Sequence, residues 1–151
     1  MMKVTTREAA WLKAIGSAFA PEGDYQDGHL VPKSGEVDYV STFCTLNAPA
    51  GPKVRYGIRA AVALIALSPF WHRRRLATID ALNAEERTAL IDELTRHPLQ
   101  LVRELTLLMK VQSSMALLGT PSLRSRSGYD SARSEGTPIQ LRRKVNVKEV
   151  A

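Results

Sequence analysis

The sequence predicts an all-α protein, with a compact five- or six-helix domain and an extended basic C-terminal tail. Three observations lead to this prediction. Apolar residues recur at helical spacing through most of residues 1–119. Prolines, glycines and helix-capping pairs separate these stretches. Helical periodicity then disappears, and residues 120–136 are rich in Ser, Arg and Gly. We therefore divide the chain into a helical domain at 1–119 and a partner-docking tail at 120–151, whose first part reads as an extended arm.

The first two helices are predicted on either side of a long loop. Thr5 and Glu8 have the spacing of a capping box, and apolar positions follow at helical spacing over residues 11–19. Residues 20–35 contain three glycines and two prolines, which is typical of a long loop. A second helix is expected over residues 34–46.

The most apolar helix is predicted at the centre of the domain. Pro52 suits its first turn, because the missing backbone donor costs nothing there, and the helix should run to about Leu67. Ala63, Leu64 and Leu67 lie in its least polar stretch, so we expect them to be buried. A short helical segment should start at Ser68.

Two further helices are predicted to complete the domain. Asn83 and Glu86 have cap and third-position spacing and should open one of them. Pro98 opens the longest helix, and Gly119 fits the left-handed position just beyond its end. The core of the domain is expected to end near Leu118.

Positive charge is concentrated in two parts of the chain. The formal net charge is +6. Residues 51–81 carry six basic and one acidic side chain, a net of +5, and residues 120–151 carry seven and three, a net of +4. Such segments suit an acidic protein, a nucleic acid or an anionic membrane, and charge alone does not choose among them.

Recognisable catalytic and cofactor motifs are absent from the sequence. His29, His72 and His97 are far apart along the chain, and one cysteine cannot form a disulfide or a paired-cysteine zinc site. Cys44 shares a face with valines and is interpreted as a buried structural thiol. No glycine-rich phosphate or dinucleotide motif is present. We therefore predict no catalytic, cofactor-binding or metal-binding residue in this chain.

Two groups of residues are candidates for binding a partner. In the tail, an aromatic residue at 129, which fits docking or a turn, precedes an alternating apolar pair and a basic run, a pattern that suits docking on an acidic surface. These tail candidates are Arg124, Arg126, Tyr129, Asp130, Ile139, Leu141, Arg142, Arg143 and Lys144. The second group is Arg73, Arg74 and Arg75, which fits phosphate or membrane-interface contact, or ion pairs with acids inside the domain.

Several short features occur in a fixed order from Arg59 to Asp130. They are a helix end at Leu67-Ser68, then Leu82 with Glu85-Glu86-Arg87 and Leu90, then a leucine-rich helix over 101–110 that ends in a lysine, then Gly128-Tyr129-Asp130. In this order they resemble the small helical subunit of membrane-associated FAD-dependent sugar and alcohol dehydrogenases, the gluconate dehydrogenase small-subunit type. They are also similar to the N-terminal helical region of long-chain alcohol oxidases.

This resemblance implies a non-catalytic accessory subunit that binds and stabilises a flavoprotein large subunit of the glucose–methanol–choline type in a hetero-oligomer. FAD would belong to the partner, and this chain would hold no cofactor. The chain lacks the twin-arginine export signal of many such subunits, and no signal peptide or apolar run of about 20 residues is seen. We therefore expect a cytoplasmic or peripheral membrane location.

The alternative function is a basic helical adaptor that binds nucleic acid or an anionic membrane surface. This alternative explains the charge equally well but leaves the ordered resemblance unexplained. No pair of predicted helices has the short turn and polar recognition helix of a helix-turn-helix, so we expect no specific nucleic acid partner. Peripheral membrane contact stays open.

Overall fold

A computed structural model describes residues 3–23 and 31–127 of the chain. These residues form α-helices and one short 3-10 turn at Ile79–Ala81, with no strand among them, so the predicted all-α class is confirmed. The helices are α1 Thr6–Phe19, α2 Tyr39–Leu46, α3 Pro52–Ala66, α4 Ser68–His72, α5 Ala84–Thr95, α6 Gln100–Gly119 and α7 Pro121–Ser127. Within the described part of the chain, no helix is both long enough and apolar enough to cross a bilayer.

Side-chain caps start α1 and α5 as predicted. The Glu8 carboxylate accepts a hydrogen bond from the Thr5 backbone at 2.7 Å, and the Thr5 hydroxyl accepts one from the Glu8 backbone at 3.2 Å. In the same way, the Glu86 carboxylate accepts a hydrogen bond from the Asn83 backbone at 3.1 Å, and the Asn83 side chain accepts one from the Glu86 backbone at 2.8 Å. Each pair satisfies backbone donors that a helix start leaves without an intrahelical partner.

The predicted start of α2 near Ser34 is wrong. Asp38 caps this helix instead, because its carboxylate accepts a hydrogen bond from the Ser41 backbone at 2.9 Å. Residues before it form a turn in which Gly35 has a φ of 72°, a left-handed conformation that favours glycine. The helix therefore begins at Tyr39.

The end of α6 also differs from the prediction. Gly119 is the last residue of α6, and it does not adopt the expected left-handed conformation. Thr120 closes the helix, because its hydroxyl donates to the Ala116 carbonyl at 2.9 Å. The Thr120 backbone also donates to the Leu117 carbonyl, so two carbonyls at this end accept hydrogen bonds without a positive φ.

The predicted extended arm is wrong over residues 121–127, which form α7. Leu123 is buried against the end of α6. Glu36 holds the helix from the other side, since its carboxylate accepts hydrogen bonds from the Ser122 hydroxyl and from Arg126 Nη2, the latter at 2.7 Å. Helical structure thus continues past the predicted domain boundary at residue 119.

The main core lies where α1 packs against α3, α5 and α6. Ile15, Ile65, Leu90 and Leu94 are completely buried there. Aliphatic side chains supply most of this interior, because the chain contains few aromatic residues.

The buried face of α3 is not the one that was predicted. Ala61, Val62, Ile65 and Ala66 point into the core. Leu64 is only partly buried, and Leu67 is 40% exposed because it lies at the C-terminal cap of the helix. A nearly uniform apolar helix gives little information about which side faces inward.

α1 and α2 approach each other closely at Gly16. A Cβ atom at this position would lie 2.5 Å from Cγ and 2.6 Å from Cε1 of Tyr39, so the ring occupies the space that any side chain would need. Tyr39 is buried, and its hydroxyl has no hydrogen-bond partner among the described residues. Burial raises the pKa of Tyr39 to about 12, with a smaller effect from the charge of Glu22.

Candidate functional site: the outer face of helix α6

Helix α6 is apolar on two opposite faces. One face packs into the core, and a second faces away from the domain. Because successive residues of an α-helix are about 100° apart, six apolar side chains fall within one arc of about 120° opposite the buried face. We call this arc the outer face; its residues are Leu101, Leu107, Leu108, Val111, Met115 and Leu118.

The inner face of α6 is satisfied by the domain itself. Val102, Met109 and Ala116 are buried. Thr106 is also buried, but its hydroxyl donates to the Val102 carbonyl at 2.7 Å, so it leaves no unpaired polar group in the core. This face therefore needs nothing from outside the domain.

A pair of side-chain amides helps to fix the rotation of α6 about its axis. Asn47, buried at the end of α2, donates to Gln112 Oε1 at 2.9 Å, and Gln112 Nε2 donates back to Asn47 Oδ1 at 3.3 Å. Asn47 also donates to the Phe43 carbonyl at 2.8 Å. Because Gln112 must face α2, its neighbour Val111 is directed away from the domain.

The outer face exposes several neighbouring apolar side chains. Leu101 is 63%, Val111 56% and Leu118 64% exposed. Glu104 is the one charged residue within the arc, while Lys110 lies beyond its edge. Single exposed leucines are common, but contiguous apolar patches with polar borders mark sites of interaction.

The outer face continues into an apolar groove between α6 and α7. This groove has a volume of about 300 Å³ and is lined by Ser114, Leu117, Leu118, Leu123, Arg124 and Ser127. Arg124, a predicted partner-binding residue, therefore lies beside the outer face. The groove extends the surface on which a partner helix would rest.

Arg126, also predicted to bind a partner, helps to hold α7 in place through Glu36. Hydrogen bonds from the Ser122 hydroxyl, the Lys33 backbone and Arg126 lower the pKa of Glu36 below its usual range. The ion pair is largely shielded from solvent on both sides. The wall of the groove is thus fixed by the domain.

Two of the three clustered arginines form ion pairs within the domain. Arg73 binds Glu93 through two nitrogens, Nε at 3.1 Å and Nη2 at 2.7 Å, and Arg75 Nη1 lies 2.6 Å from Glu86. Arg74 is exposed, has a φ of 52° and forms no ion pair with another described residue. The geometry therefore agrees with the interpretation of domain-internal ion pairs for the two flanking arginines.

These arginines change the titration of their partners. Hydrogen bonding and charge from Arg73 hold the pKa of Glu93 below its usual range, and Arg75 does the same for the pKa of Glu86. Hydrogen bonding to Glu93 in turn raises the pKa of Arg73. The cluster links α4 to α5.

Two histidines that are distant in sequence meet on the surface. The His72 and His97 ring centroids are 5.4 Å apart, and Trp71 lies 5.7 Å from each. His72 Nε2 is also 3.2 Å from Glu93. Sequence reasoning missed this group, because nothing in the spacing of residues 72 and 97 indicates contact. Across the described ranges, no three or more His, Cys, Asp or Glu side chains are placed to hold a metal ion.

Cys44 is partly rather than fully buried. Burial is the main reason why the pKa of its thiol is raised. A raised pKa lowers the fraction of thiolate, the nucleophilic form, so this geometry does not favour an activated cysteine.

The other predicted binding residues cannot be placed on this surface. The residues outside the described part of the chain are Tyr129, Asp130, Ile139, Leu141, Arg142, Arg143 and Lys144.

No protein-family model, curated protein or solved structure matches this chain. The outer face of α6 is thus the candidate site that geometry alone supports.

Proposed function

We propose that this chain is a non-catalytic accessory subunit that binds and stabilises a larger partner protein. The outer face of α6 is the observation that supports this proposal. It is apolar and contiguous, and the Asn47–Gln112 pair helps to direct it outward. The resemblance described above makes the partner an FAD-dependent alcohol or sugar dehydrogenase or oxidase of the glucose–methanol–choline type.

The energetics favour coverage of this face by a partner. Burying a leucine side chain that is already about half exposed contributes about 1 kcal/mol or more. Several such residues on one helix can offset the loss of rotational and translational freedom on association. The free chain pays no such cost to keep α6 folded, because its inner face already holds the helix.

The chemistry of the face defines the kind of partner element that fits. An amphipathic helix of the large subunit would lie along α6, with its apolar side chains in the groove beside α7. A basic side chain of that helix would suit Glu104. FAD and hydride transfer would belong to the large subunit, and this chain would brace it in the cytoplasm or at a membrane surface.

Affinity purification of the tagged chain from its native cells tests the proposal. We expect a yellow protein with a flavin absorbance spectrum to co-purify with the wild type. Val111→Glu should abolish this co-purification, because it places a charge at the centre of the contact. Leu76→Glu is the matched control, since Leu76 is at least as exposed as Val111 but lies outside α6.

Each outcome separates one part of the proposal from the rest. Equal recovery of the partner with Val111→Glu would remove the outer face from the interface. A specific partner without flavin would refute the flavoprotein assignment and leave the binding role. Salt-sensitive co-purification of nucleic acid, or binding to anionic vesicles, would instead favour the adaptor alternative.

A further inference from the structure

The outer face of α6 follows the three-four spacing of a coiled-coil seam. Positions 101, 104, 108, 111, 115 and 118 are separated by alternate steps of three and four residues, and they hold Leu, Glu, Leu, Val, Met and Leu. Side chains in such a seam fit between those of another helix with the same spacing. The seam is therefore complementary to a second copy of itself.

We infer that, in the absence of a partner, two copies of this chain pair through the outer faces of α6 in an antiparallel, two-fold symmetric dimer. The inference rests on the proposed function, since it assigns the unbound state of the same face. A two-fold contact uses one surface patch on both copies, and the outer face meets that requirement.

The position of Glu104 selects the antiparallel arrangement. A two-fold axis between residues 109 and 110 places Leu101 against Leu118, Leu108 against Val111, and Glu104 against Met115, of the second copy. The two Glu104 side chains are then roughly 16 Å apart along the helix axes, at a rise of about 1.5 Å per residue. A parallel pair would place Glu104 against Glu104 in an apolar seam, where like charges repel strongly.

The size of the face indicates a weak dimer. Its six apolar side chains are 37% to 64% exposed. Together they present on the order of 500 Å² per copy, somewhat below the ~800 Å² per partner of a standard stable interface. The dimer should therefore depend on concentration, and a partner with a larger interface should displace it.

Pairing would also regulate the proposed function. The dimer covers the same leucines that the partner needs. In the absence of a partner, pairing would therefore shield the outer face from solvent and from unrelated proteins. Partner binding and self-association should then compete, because one face cannot hold both occupants.

Sedimentation of the full chain over a range of concentrations tests the inference. The wild type should shift from the monomer mass towards twice that mass as concentration rises. Val111→Glu should remain monomeric, whereas Leu76→Glu should behave as the wild type. If circular dichroism shows that Val111→Glu has lost helix, Leu118→Gln serves as the milder variant at the same face.

Cross-linking tests the direction of pairing. In a Cys44→Ser background, the double variant Leu101→Cys/Leu118→Cys should form intermolecular disulfides on mild oxidation, and Leu101→Cys alone should form few. Efficient cross-linking of Leu101→Cys alone would indicate parallel pairing and overturn the proposed arrangement.

Other outcomes would overturn the dimer and identify what replaces it. A wild type that is monomeric at every concentration, but still binds its partner through Val111, would refute self-pairing and leave the proposed function intact. A monomer that dimerises only after deletion of residues 128–151 would show that the chain's own tail covers the face. A dimer that Val111→Glu does not weaken would use another surface.

Discussion

The arginine cluster at residues 73–75 and the outer face of α6 both differ from what their compositions suggest. Three consecutive arginines are typical of a ligand site, yet Arg73 and Arg75 bind acids of α5 within the same domain. A leucine-rich helix is typical of core, yet α6 leaves one whole apolar face exposed. The comparison shows that residue types alone do not reveal which side chains the domain pairs or buries and which it leaves exposed.

The two methionines of α6 give the largest test of this comparison. Met109, on the inner face, is 1% exposed, and Met115, on the outer face, is 50% exposed. Met109→Ala should lower the free energy of unfolding by about 2–5 kcal/mol, because it leaves a cavity in the core. Met115→Ala should change it by less than about 0.5 kcal/mol. Denaturant unfolding at a concentration that favours the monomer measures both.

Similar losses in the free energy of unfolding for Met109→Ala and Met115→Ala would contradict our assignment of the two faces. A large loss for Met115→Ala in the monomer would mean that the outer face is covered within a single chain. A small loss for Met109→Ala would mean that Met109 does not face the core and that α6 is rotated about its axis.

The ion pair of Arg73 should have a smaller effect. Arg73→Ala removes both hydrogen bonds to Glu93, and we expect a loss of up to about 1 kcal/mol, since the pair is partly exposed and screened by solvent. Arg74→Ala, with no ion pair to lose among the described residues, is the control. A larger loss for Arg74→Ala would mean that the middle arginine has a structural role that its exposure does not reveal.

The same pair predicts a direction of pH dependence. Because the folded pKa of Glu93 is lowered, its contribution to stability is present above the unfolded pKa, near 4.5, and is lost as the pH falls through the folded pKa. The difference between wild type and Arg73→Ala should therefore shrink on acidification below about pH 4.5. A difference that grows at low pH would exclude this ion pair as its source.

The smallest predicted effect concerns the backbone of the cluster. Arg74 has a left-handed φ of 52°, which costs a non-glycine residue about 1 kcal/mol or more. Arg74→Gly should relieve this cost, and the larger entropy of unfolded glycine should cancel part of the gain. We expect a net stabilisation of a few tenths of a kcal/mol by thermal unfolding. Destabilisation would indicate that the Arg74 side chain contributes contacts of its own.

Local signals in the sequence were sufficient to predict some elements. The capping boxes at Thr5 and Asn83 use partners three residues away, so they are visible in the sequence. Pro52 at the start of α3 is equally local. By contrast, the choice of Asp38 over Ser34 as the cap of α2 depends on how the preceding turn packs.

The candidate site depends on contacts that no local pattern contains. Asn47 and Gln112 are 65 residues apart, and their amide pair joins α6 to the end of α2. Glu36 is 90 residues from Arg126, and this contact makes a helix of a segment that reads as an arm. The three-four repeat of α6 was visible in the sequence, but its exposure depends on packing against five other helices.

The Tyr39 phenol gives the contact between α1 and α2 an optical signal of its own. Its folded pKa of about 12 is raised from 10, so the folded chain keeps it protonated in alkaline solutions where an unfolded or opened chain forms phenolate. The stability that this burial contributes is complete below about pH 10 and is lost as the pH rises towards 12. The phenolate absorbance of Tyr39 near pH 11 would therefore report the opening of this contact between α1 and α2 without any added label.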